Sequence, residues 1–195
     1  MGRFGGLPNW WHRDESLYSA LKADKVGEGI AAMKCLLALS VLVDFYTKDV
    51  EVSISDLMLI TGLSRPMVIR GVDKLEAEKV VSIDKSSYKN VYKLLTVDTD
   101  DNWAKVPVGI IRKRLKTISN RGIAPFSALK IYLALLGYRY KTDVVVTVSH
   151  QTLVEKTKLQ PAHIRQGLDV LYCSSMIHVV FGEMRTPNRY KILGL

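Results

Sequence analysis

The chain repeats itself once, at an offset of 96 residues. Lys34-Cys35-Leu36-Leu37-Ala38-Leu39 returns as Lys130-Ile131-Tyr132-Leu133-Ala134-Leu135. The same shift carries Ser53 to Ser149, Leu57 to Leu153, Thr61 to Thr157, Leu63 to Leu159, Gly71 to Gly167, Asp73 to Asp169 and Leu75 to Leu171. Identities spread without a gap from Lys34 to Leu75 do not arise from composition alone. Two copies of one structural unit are the economical reading, and 195 residues suffice for one large domain or two small ones.

Both copies show the same order of patterns. In the first, residues 30–46 are apolar and rich in Ala and Leu, which predicts a buried helix. Residues 50–54 alternate at period two, a strand. Ser55 offers an N-cap for a short helix through residue 60, and Thr61-Gly62-Leu63 breaks it. Ser64 then caps a second helix, with Pro66 tolerated in its first turn and Val68, Val72 and Leu75 on one face. Strands at 80–84 and 91–95 flank a polar, basic turn. The second copy predicts a helix at 127–140, a strand at 144–148 and a short helix capped by Ser149. Leu159 holds its turn, a helix at 161–172 turns Ile164, Leu168 and Leu171 inward, and a hairpin joins 176–181 to 188–193.

Two details refine this. Tyr92-Lys93-Leu94-Leu95 matches Tyr190-Lys191-Ile192-Leu193 at offset 98, so the second hairpin is two residues longer, at a tip where insertions are tolerated. Gly71 and Gly167 each cost a helix interior about 1 kcal/mol relative to Ala, which points to a neighbouring helix backbone in close approach. The fold expected is mainly α with small β-hairpins, as two tandem winged helix-turn-helix domains over 33–97 and 127–195. Residues 1–32 form an N-terminal arm, and 98–126 a basic linker with a short helix. The Trp10-Trp11 pair is expected to pack the arm onto the first winged domain.

Charge bears on partners. The net charge of +9 is placed unevenly, since residues 105–195 hold fifteen basic against four acidic side chains and residues 34–104 nine against eleven. Without nearby acids, a cluster such as Arg112-Lys113-Arg114-Leu115-Lys116 favours an anionic polymer, and double-stranded DNA fits better than a membrane surface. No apolar run reaches the roughly 18 residues of a membrane span, and residues 1–21 lack the pattern of a signal peptide. A soluble, reduced, cytoplasmic setting is the expectation, with Cys35 and Cys173 as small buried hydrophobes.

The run from Thr61 to Glu76, through Gly62, Leu63, Ser64, Arg65 and Pro66, resembles the turn and recognition helix of winged helix-turn-helix proteins. It is similar both to MarR-like regulators and to replication proteins of plasmids, phages and genomic islands. The second copy departs from that pattern, with Gln160 and Pro161 in place of the Ser-Arg start. A pair of winged helices in one short chain resembles plasmid replication initiators, as does the connector-like segment from Trp103 to Ile111. The resemblance implies sequence-specific binding of an origin, with host replication proteins and a homodimer through the arm or helices as further partners. Regulation of transcription at an operator is the neighbouring reading, and a winged-helix protein-interaction module one of a different class.

A recognition helix reads bases with side chains turned away from its core stripe. In the first copy these are Ser64, Arg65, Met67, Ile69, Arg70 and Lys74, with the two arginines foremost because arginine reads guanine bidentately. In the second they are Pro161, His163, Arg165 and Gln166; His163 is either a donor to base or phosphate or an inert surface histidine. Lys85, Ser87 and Lys89 of one hairpin, Arg185, Asn188 and Arg189 of the other, and Arg112, Lys113, Arg114 and Lys116 would lie along phosphates. Chemistry is not legible. There is no Gly-x-x-x-x-Gly-Lys run, the four histidines and two cysteines have no ligand spacing, and Asp98, Asp100 and Asp101 beside Asn102 read as linker. Neither an enzyme nor a cofactor is expected.

Overall fold

A computed structural model describes residues 4–44, 46–86, 89–96, 103–140, 143–180 and 188–195. It is mainly helical with three small antiparallel sheets. The first half runs β1 (Phe4–Pro8), α1 (Trp10–Arg13), α2 (Ser16–Ala20), α3 (Val26–Ser40), β2 (Asp49–Val52), α4 (Ile54–Thr61), α5 (Arg65–Ala77), β3 (Val81–Asp84) and β4 (Asn90–Leu94). The second half answers with β5 (Trp103–Pro107), α6 (Val108–Arg114), α7 (Ile123–Tyr138), β6 (Val145–Thr147), α8 (His150–Thr157), α9 (Pro161–Cys173), β7 (Ile177–Val180) and β8 (Arg189–Ile192). Among the described residues no helix is long and apolar enough to cross a membrane.

Local chemistry sets the element ends, and several differ from expectation. The cap of α4 is Ser53, not Ser55: Ser53 leaves β2 in an extended conformation, and its Oγ accepts from the Asp56 amide at 3.1 Å. Ser149 caps α8 in the same way, accepting from Thr152 at 3.0 Å. Helix α3 stops at Ser40 instead of running to residue 46. The Asp44 carboxylate accepts from the amides of Tyr46 (2.8 Å) and Thr47 (3.0 Å), which bends the chain into a turn that competes with the helix. Helices α4 and α8 both end on a left-handed residue, Gly62 in one and Lys158 in the other.

Each copy closes a sheet on its helices, in the order β2-β4-β3 and β6-β8-β7. Tyr92 sits opposite both Val50 and Ile83, and Tyr190 opposite both Val146 and Val179, so each central strand turns a buried tyrosine inward. Helices α3 and α7 are buried all round over residues 29–40 and 125–136, as helices apolar on every face must be. The glycines explain how α5 and α9 reach them. A Cβ on Gly71 would stand 2.7 Å from the Ala31 carbonyl, and one on Gly167 2.9 Å from the Ala128 amide nitrogen. Cys35 is buried beneath Val68, and burial pushes its thiol up to about 12. Cys173 is exposed, because two residues beyond Leu171 the helix has turned it away from the core stripe.

The repeat reaches further back than residue 33. Strands β1 and β5 pair antiparallel, from Phe4 opposite Pro107 to Pro8 opposite Trp103, with Gly6 facing Lys105 at the centre. Leu7-Pro8 and Val106-Pro107 are equivalent at offset 99, so the pairing joins like to like, as a local two-fold axis does. The stretches expected as arm and linker are therefore matching parts of the two copies, and they are exchanged. Lys130 Nζ donates to Tyr18 O at 2.7 Å and to Thr157 O at 2.9 Å. Lys34 Nζ donates to Ile118 O at 2.6 Å, Thr61 O at 3.0 Å and Asn120 Oδ1 at 2.7 Å. Each copy thus holds the other's leading segment. Trp10 does reach the first copy, donating to Leu95 O at 2.9 Å. Trp11, however, packs with His12 and Tyr18 against the second, where the His12 ring meets Tyr138 edge-on at 4.8 Å.

Two expected outcomes follow from this packing. Gly71→Ala or Gly167→Ala forces a methyl into backbone and should destabilise by about 1–3 kcal/mol; a urea midpoint unchanged in both variants would contradict the close approach. His12 is buried, and desolvation lowers its pKa from 6.5 to about 4. Between those values the unfolded chain binds a proton that the folded one refuses, so stability falls with acidification below pH 6.5, by about 3 kcal/mol once pH 4 is passed. His12→Gln should lose less stability than wild type between pH 7 and pH 4.5, read from urea midpoints.

Candidate nucleic-acid interface

Helix α5 buries Val68, Gly71, Val72 and Leu75. That stripe leaves Ser64, Arg65, Ile69 and Arg70 exposed. Met67 and Lys74, seven residues apart and on one edge of the stripe, are less open: Met67 turns toward the start of α3 and Lys74 toward the end of its own helix. Met67 Cε comes within 3.8 Å of where a Gly27 Cβ would stand, and Lys74 forms a 2.7 Å ion pair with Glu78. Both are half-buried. In α9 the stripe is Ile164, Gly167, Leu168 and Leu171, with Arg165 and Gln166 exposed and His163 half-buried.

The hairpins add a few cations. Lys85 lies 3.7 Å from Asp73 and Lys89 3.9 Å from Glu51, and all four side chains are about half or more exposed, so these are weak, screened pairs. Asn188 and Arg189 are exposed at the start of β8. Arg185 lies outside the described residues, as do Ser87, the rest of the second hairpin's tip and the acidic stretch at 98–102. Among the described residues no three His, Cys, Asp or Glu side chains gather where they could hold a metal.

The basic cluster stands where the sequence does not suggest. Arg112, Lys113 and Arg114 are exposed on α6, and Lys116 follows in a single 3-10 turn (Leu115–Thr117). This segment is docked on the turn between α4 and α5. A Cβ on Gly62 would stand 3.0 Å from Lys116 Cβ, and Asn120 Nδ2 donates to Gly62 O at 2.8 Å. From inside, Lys34 binds the carbonyls of both sides. Lys116 of the second half is thereby set at the Gly62 turn that leads into Ser64 and Arg65.

Lys34 is the residue that sequence reasoning misses. Burial pulls its pKa from 10.5 down to about 8, so at neutral pH it remains an ammonium with three donors for three acceptors. The signal is a lysine recurring, as Lys34 and Lys130, inside otherwise apolar helices. No protein-family model matches this chain, and no curated protein matches it either.

Lys34→Met should strand those acceptors and loosen the docked segment. A loss of about 2–5 kcal/mol is expected, with faster amide exchange at residues 112–120 under native conditions. Unchanged exchange there would mean that Lys34 does not hold the cluster in place.

Proposed function

We propose that the chain is a sequence-specific double-stranded DNA-binding protein built from two tandem winged helix-turn-helix units, with α5 and α9 as recognition helices. The order helix, strand, helix, turn, helix, hairpin in each copy supports the winged reading. The single observation that carries DNA binding is the docking of the segment that carries Arg112, Lys113, Arg114 and Lys116 on α4 and on the Gly62 turn, from which α5 starts with its exposed Arg65. It couples phosphate anchors to a base-reading helix. Antiparallel pairing of the equivalent strands β1 and β5 adds a geometric consequence. Two heads related by a two-fold meet half-sites of opposite orientation, about one helical turn apart or a multiple of it.

Within that reading, the narrower role is origin binding as the replication initiator of a plasmid, phage or genomic island. Two heads in one chain can span successive major grooves of an origin repeat. Control of transcription at an operator uses the same surface.

Arg65→Ala and Arg70→Ala should each cost about 1–3 kcal/mol on the cognate duplex and little on a scrambled one. The double variant Arg112→Ala with Lys113→Ala should weaken both duplexes alike. It should also flatten the dependence of log affinity on log salt, by about 0.9 for each phosphate that is no longer neutralised. Competition binding after in vitro selection of the cognate site reads both. Equal losses on both duplexes for Arg65 and Arg70 would transfer base reading to α9, with His163, Arg165 and Gln166. Absence of duplex binding at low salt would sink the proposal altogether and favour a protein-interaction module.

A further inference from the structure

The two exchanged segments do the same structural work with opposite electrostatics. Residues 108–121, seated on the α4–α5 turn, carry Arg112, Lys113, Arg114, Lys116 and Arg121 and no acid. Residues 9–22, seated on the second copy, carry Arg13 and Lys22 against Asp14 and Glu15. Position 158 is the equivalent of Gly62, the residue that ends the helix before the turn. There the second copy places a cation of its own, Lys158, with Lys156 two residues before it. Both are taken by one carboxylate. Glu15 Oε1 lies 3.2 Å from Lys156 Nζ, and its other oxygen pairs with Lys158. Lys158, Lys156 and their hydrogen bonds hold the Glu15 carboxyl below its usual range, so it is charged at neutral pH.

Lys158 is half-exposed and stands just before Gln160 and Pro161, where α9 begins. In the first copy the corresponding ground belongs to Lys116, which has no carboxylate bonded to it among the described residues. The first head therefore has an open cation at its turn, and the second has a neutralised one. We infer that Glu15 sets an order between the two heads: the α5 head binds its half-site strongly, and the α9 head binds weakly because Glu15 occupies Lys158, the exposed lysine that would meet a phosphate of its half-site. This rests on the DNA-binding reading above and adds to it which half-site dominates and which residue decides that.

The test is a gain of function. The chain with Glu15→Gln keeps a hydrogen-bonding side chain at that position while freeing Lys158; Lys156 stays bonded to His12 O and stacked on Tyr138. Its binding to a duplex should depend more steeply on salt than wild type, by about 0.9 in log–log slope for each phosphate newly neutralised. Hydroxyl-radical footprints on the selected site should show the α9 half protected at several-fold lower protein concentration, with the α5 half unchanged. Adding Lys158→Ala to Glu15→Gln should cancel the gain. Circular dichroism and a thermal midpoint establish that each variant is folded; a misfolded Glu15→Gln protein is replaced by Lys158→Glu, which should weaken the α9 half alone. Binding that is equal at both halves in wild type, or unmoved by these substitutions, overturns the role of Glu15 while leaving DNA binding intact. A wild type that binds no duplex overturns both.

Discussion

Two buried ammonium groups hold this molecule together. Lys34 and Lys130 lie at equivalent places in α3 and α7, and among the described residues neither has a carboxylate partner; their hydrogen bonds all go to carbonyl or amide oxygens. A charge taken out of water is costly unless its donors are met. Here one of the acceptors is the last carbonyl of a short helix, Thr61 in α4 and Thr157 in α8, where the helix dipole also favours a cation. The other hydrogen bonds, two from Lys34 and one from Lys130, go to the other copy's leading segment. One side chain thus fixes a helix end, a turn and a neighbouring segment at once, and the placing of α5 and α9 on their cores depends on it.

From this exchange comes the difference between the chemical sequence and the molecular surface. Charge counted along the chain puts the cations in the second half, yet the fold delivers the densest cluster to the first copy's turn. In return the first half delivers Glu15 to the second copy's lysines. Within the chain, β1 lies on β5, and Phe126 of α7 fills the space beside Gly29 of α3.

What the sequence makes legible is local or periodic. The core stripes of α5 and α9, the Ser149 cap, the Ser64 start and the purpose of Gly71 and Gly167 all follow from spacing within a dozen residues or from the repeat itself. Boundaries shift where a side chain competes for the backbone, as Asp44 does after α3 and Ser53 does before α4. The β1–β5 ribbon is not legible, because its two strands share only an apolar residue and a proline and stand at offset 99 where the body of the repeat stands at 96. Nor is the seat of Arg112 to Lys116, which is decided by Lys34 bonding to a carbonyl 84 positions away. Helical spacing puts Lys74 and Met67 on the outward side, yet Met67 lies against Gly27 at the start of α3 and Lys74 pairs with Glu78 at the end of its own helix.

The exchange of leading segments also governs the order in which the molecule can be completed. As the chain is synthesised, residues 26–96 emerge with Lys34 already in the middle of their longest helix, but Ile118 and Asn120, its partners, are still to be made. Residues 4–22 likewise wait for β5 and for Lys130. Neither copy has its full set of partners until the second has appeared, so the two mature together, and a ribosome that stalls between them leaves an open ribbon edge and a buried cation short of acceptors.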